Sequence, residues 1–147
     1  MAVVVERRGR RWRSYMLAAA ILAVAVGSLA AALLLAGGGG DEVYKALTEI
    51  ESSVDVALIE YYEAVEDGEV VSEGEYRAAL RLVDRAIESF ESVRQQLEAL
   101  DPESARLLGE TLYRIRGMME GLEDPDSVEG EVLRVLELVA RLRGSEG

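Results

Sequence analysis

The chain has 147 residues, half of them hydrophobic, and a formal net charge of −12. It contains no cysteine and no histidine, which excludes a disulfide framework, thiolate metal sites and histidine-based acid–base or metal chemistry. Five arginines against Glu6 leave residues 1–40 with a net +4, whereas 11 basic and 27 acidic side chains leave residues 41–147 with a net −16, a balance that repels nucleic acid and anionic headgroups.

Residues 1–14 form a basic head ending in Trp12, Arg13 and Ser14. Residues 15–36, YMLAAAILAVAVGSLAAALLLA, carry no charge. At about 1.5 Å per residue a helix of that length spans ~33 Å, against ~30 Å for a bilayer core, so the stretch reads as a single transmembrane helix. Arginines are retained on the cytoplasmic side, and none lies just beyond the span; the N-terminus is therefore expected inside and residues 41–147 outside. Trp12 and Tyr15 fall at the inner boundary, where amphipathic rings favour the headgroup layer. A cleaved signal peptide has the same order of segments, but its apolar core runs to only 7–15 residues, and Leu34 spoils a cut after Ala36. An anchor is the expected outcome; a cut after Gly38 is the alternative. Ala19, Ala23, Gly27 and Ala31 recur every four residues, a small-residue stripe of the kind that packs two membrane helices, in a segment whose alanine content makes some such stripe nearly unavoidable.

Gly37–Gly40 form a four-glycine linker. Each glycine disfavours helix by about 1 kcal/mol relative to alanine, so the run uncouples the span from the acidic region 41–147 and suits a tether.

Four amphipathic helices are then expected. The first runs from Glu42 to Glu66 with Asp41 as N-cap, on the seam Val43, Leu47, Ile50, Val54, Ala57, Tyr61 and Val65. Leu58, Ile59 and Tyr62 widen this face, as for a helix touching two neighbours. Asp67-Gly68 ends it, and Glu69–Val71 is the one short strand-like stretch. The second helix begins after Ser72, with Glu75 completing a capping box, and runs to Ala99 on the seam Tyr76, Leu80, Val83, Ile87, Phe90, Val93, Leu97 and Leu100. The third starts at Asp101-Pro102, an N-cap followed by proline at the first helical position, on Ala105, Leu108, Leu112, Ile115, Met119 and Leu122. The fourth starts at Asp124-Pro125 or Ser127, on Val128, Val132, Val135, Leu136, Val139 and Leu142, with Arg141 and Arg143 in its last turn. Short connections make this an all-α, antiparallel four-helix bundle behind a single N-terminal span.

Candidate sites are few. Di-metal centres in bundles pair Glu with Glu-x-x-His, a pattern that a chain without histidine cannot supply. The acidic turns at 66–69 and 124–126 lack the ligand run of an EF-hand and read as caps. Arg77, Arg81 and Arg85 share one helix face, either pairing with a neighbouring helix or forming a cationic strip. Tyr61, Tyr62 and Tyr76 meet at the tip of the first hairpin, as core or as a partner patch. Gly117-Met118-Met119-Glu120-Gly121 is expected to loosen the end of the third helix.

No nucleophile–base pair, metal or cofactor motif emerges, so no enzyme is expected. The reading is a membrane-anchored extracytoplasmic module for protein–protein interaction, such as an accessory subunit of a membrane complex or a homo-oligomer. Its contact surface is expected at Leu58, Tyr61, Tyr62, Arg77 and Arg81. The alternatives are a ligand-sensing ectodomain or, if the leader is cleaved, a secreted helical protein.

Overall fold

The computed structural model describes residues 40–145. The expected basic head, span and its small-residue stripe, and Gly37–Gly39, lie outside them. Among the described residues no helix is long and apolar enough to cross a membrane. They form α1 (Gly40–Ala64), a two-stranded hairpin of β1 (Val65–Glu66) and β2 (Glu69–Val70), α2 (Glu73–Leu100), α3 (Pro102–Glu120) and α4 (Pro125–Ser145). Each helix packs on its sequence neighbours and α4 returns to α1, which closes a four-helix ring. One end gathers the end of α1, the start of α2, the end of α3 and the start of α4, so the helices alternate in direction.

All seven positions of the first expected seam are buried, Val43 to Tyr61 on α1 and Val65 on β1. So are Ala105, Leu108, Leu112, Ile115 and Met119 on α3, and Val128, Val132, Val135, Val139 and Leu142 on α4. The second seam is less regular. Val83, Phe90, Val93 and Leu97 are buried, Tyr76, Leu80 and Ile87 are half-buried, and Leu100 is exposed at the helix end. The inward line of α2 also contains Ala79, Ala86 and Ser89, facing a first helix that itself buries Ala46, Ser53 and Ala57. Small side chains on both helices let the axes approach closely, and α1–α2 is the most extensive interface.

Helix ends correct four expectations. Gly40 is helical, so α1 begins inside the expected linker and Asp41 lies in its first turn, where a carboxylate favours the helix dipole. The helix stops at Ala64 because Asp67 and Gly68 both take positive φ, 53° and 77°, the conformation of a tight hairpin turn that pairs Val65 with Val70 and Glu66 with Glu69. Ser72 occupies the N-cap of α2 but its side chain makes no capping bond; its N–H, which Glu75 takes in a capping box, instead donates to Ala64 O. The glycines near the end of α3 do not loosen it: Met119 is fully buried, and Gly121 lies at the cap. Leu122 comes next with φ 54°, and Glu123 N–H donates to Met118 O at 3.0 Å, the closure of a Schellman turn. Asp101 caps α3 as expected, accepting from Ser104 N–H at 3.1 Å, and Asp124, not Ser127, caps α4, accepting from Asp126 N–H at 2.8 Å.

Candidate functional site

The hairpin-tip surface expected at Leu58, Tyr61 and Tyr62 is largely interior. Leu58 and Tyr61 are 4% and 0% exposed, because the wide face of α1 meets both α2 and α4 and leaves neither side chain to solvent. The tyrosines act as clamps. Tyr61 Oη donates to Glu123 O at 2.7 Å and Tyr76 Oη to Met119 O at 3.2 Å, so both hold the α3–α4 turn from outside its own helices. Burial pushes the Tyr61 hydroxyl up to about 12, with Tyr76 adding to the effect. Tyr62, half-buried, faces Asp126 Oδ1 and Glu129 Oε2, both at 2.8 Å, and its single hydroxyl proton serves the two carboxylates in turn. Burial and those hydrogen bonds raise its pKa far above the ordinary phenol range.

The arginine row divides. Arg85 reaches across to Glu49 on α1, the cross-helix pairing expected of such a row. Arg77 pairs at 3.6 Å within its own helix with Glu73. Arg77 and Arg81 are exposed on the outer face of α2, with the half-exposed Val71 just before the helix.

A polar seam between α1 and α4 is the feature sequence reasoning missed. Tyr44, Thr48, Glu51, Asp55, Leu58 and Tyr62 succeed one another at spacings of four and three, a second line beside the apolar one. Arg143 of α4 enters this line at one end. Its Nη1 lies 2.7 Å from Glu51 Oε2, its Nη2 donates to Thr48 Oγ1 at 3.1 Å, and its guanidinium sits 5.4 Å from the Tyr44 ring centroid. At the other end Tyr62 meets Asp126 and Glu129. Between them lies Asp55, 9% exposed, whose Oδ1 is buried without a hydrogen-bond partner. Burial, and then the nearby Glu51 carboxylate, raise its pKa from 3.8 to about 7. Arg143 Nε is buried without a partner in the same seam. The heptad-like recurrence of 44, 48, 51, 55, 58 and 62 was the available signal; it was hidden because two of its members are acidic and read as solvated.

On the opposite side, Phe90, Glu91, Arg94, Arg106, Gly109, Glu110 and Tyr113 line a shallow groove of about 390 Å³ between α2 and α3. Its charges are paired along their helices, Arg94 with Glu98 and Arg106 with Glu110. Among the described residues no group of three or more Asp or Glu side chains is placed to hold a metal ion.

Residues 40–146 match the family model described as the iron permease-associated 4-helix bundle domain, a range that takes in all four helices of the closed ring. No curated protein and no solved structure matches the chain.

Proposed function

We propose that this chain, which belongs to the iron permease-associated 4-helix bundle family, is a membrane-tethered accessory module that works beside an iron permease. The observation that carries the reading is the family match across the whole bundle. The charge-free stretch at 15–36, preceded by five arginines and trailed by glycines, supports a single signal-anchor span with the N-terminus in the cytoplasm and the acidic bundle outside. In this arrangement residues 1–14 are the cytoplasmic head, and the glycine run that begins at Gly37 joins the span to the bundle. The bundle acts by binding: tyrosine clamps, the Asp101 and Asp124 caps and the Glu51–Arg143 pair hold its helices together as a scaffold. Its contact surface is the exposed outer face of α2, where Arg81 and the Glu73-paired Arg77 stand one turn apart. Arginines there favour an acidic patch on the protein partner over a basic one.

Affinity purification of the full chain after gentle detergent extraction tests this. An iron permease polypeptide is expected in the eluate, lost when Arg77→Glu and Arg81→Glu are combined while the far-ultraviolet circular dichroism stays helical. A chain that purifies alone, and binds a small molecule, overturns the accessory reading in favour of a sensing domain.

A further inference from the structure

We propose that Asp55 is a proton-binding site that controls the docking of α4 on α1. Such control is internal to the bundle and stands whether or not the partner is a permease. Its basis is placement. Arg143 meets Thr48 and Glu51 near the start of α1, and Asp126 and Glu129 meet Tyr62 near its end. Asp55 lies between these contacts on the same line of α1, so the antiparallel register brings it level with the middle of α4, around Leu136. Among the described residues no basic group serves it there. Arg143 is committed to Glu51 and Thr48. On α2 the charged group that reaches α1 is Arg85, held by Glu49. On α3, Arg116 is held by Asp84 and Arg114 by Glu131. The nearby charge that acts on Asp55 is the carboxylate of Glu51, one turn earlier, and it is repulsive.

Burial of a carboxylate without a partner favours the neutral acid. With the proton on, the stretch of the closed seam around Asp55 carries the Glu51–Arg143 ion pair and no unpaired charge. With the proton off, a second anion stands beside Glu51 in a site from which water is largely excluded. Opening the α1–α4 seam hydrates Asp55 and returns it to its ordinary value near 3.8. A proton is therefore bound more tightly by the docked state than by the open one, and by linkage each proton lost favours opening. With about 7 docked and about 4 open, the opening equilibrium rises about tenfold between pH 6 and pH 8.

The experiment uses the full chain in detergent micelles with the aspartate side-chain carboxyl carbons labelled. One carboxyl resonance is expected to titrate with a midpoint above 6, and to be absent in Asp55→Asn. If every aspartate titrates below 5, the proposal is overturned without recourse to a variant. Hydrogen exchange then reads the consequence. After correction for intrinsic rates, amides of residues 125–145 are expected to lose about tenfold protection between pH 6 and pH 8 in the wild type, and to show no such change in Asp55→Asn. Equal pH dependence in both proteins overturns the coupling to α4.

Discussion

The hydroxyl of Tyr61, near the end of α1, donates to the carbonyl oxygen of Glu123, 62 residues later, at 2.7 Å. Tyr61 is fully buried, so the bond is made out of water and satisfies both a phenol and a turn carbonyl. Tyr61→Phe leaves that carbonyl without a donor and is expected to cost about 1–2 kcal/mol in a denaturant melt. The extra mobility should be confined to 119–125. A loss below about 0.3 kcal/mol would mean that the clamp contributes nothing net.

Gly109 lets Phe90 lie against α3. A Cβ at 109 would meet ring atoms of Phe90 at 2.8 Å. Gly109→Ala is expected to destabilise the bundle by about 1–3 kcal/mol, although alanine is the better helix former. Adding Phe90→Leu should recover part of the loss. A thermal midpoint unchanged by Gly109→Ala would show that the ring moves aside freely.

Glu51 and Arg143 are an ion pair with side chains 12% and 18% exposed. Removing one partner strands a charge in the seam. Arg143→Met is expected to cost about 3–5 kcal/mol, and the pair Arg143→Met with Glu51→Gln markedly less. Additive losses in the double variant would refute the pairing as an energetic unit.

Asp55 sets a pH slope. Its folded value, about 7, lies above the ordinary 3.8, so the stabilisation it brings is complete below about pH 4 and lost as pH rises through 7. Between those limits unfolding releases one proton, and stability falls by about 1.4 kcal/mol per pH unit. Denaturant midpoints of the full chain measured from pH 5.5 to 8 should decline and then level off. Asp55→Asn should flatten the curve and be the more stable protein at pH 8. A wild-type curve that is flat over this range would exclude the shift.

The topology gives a separate prediction. Protease added to spheroplasts should remove the bundle and leave a fragment holding residues 15–36 in the membrane. Full protection of residues 41–147 would reverse the proposed orientation.

The apolar architecture was legible because it obeys simple periodicity. The seams of α1, α3 and α4 are interior almost residue for residue, and two Asp-Pro pairs mark real helix starts. Less legible were features that depend on a partner elsewhere in the chain. Leu58 and Tyr61 look equally suited to a core or to a docking patch until the return of α4 decides between them. Tyr76 and Tyr61 are bound to carbonyls of a turn that periodicity does not locate. Asp55 was invisible because an acidic residue beside an apolar seam ordinarily faces water. Here α4 covers it, and helix propensity carries no record of which flank will be covered.

The closure of the ring by α4 bears on how the bundle assembles. The α1–α2 hairpin is local in sequence and has the largest interface, whereas Arg143 and Thr48 are 95 residues apart. Contacts between sequence neighbours close shorter loops than the return of α4 to α1, which costs the most chain entropy. Until the last turn of α4 exists, the open edge of α1 shows Thr48, Glu51 and Asp55 to solvent rather than a bare apolar stripe. Two carboxylates on that edge repel the same edge of another nascent copy. The half-made bundle is thereby protected from pairing with its own kind, and the arginine that neutralises Glu51 arrives with the helix that belongs there.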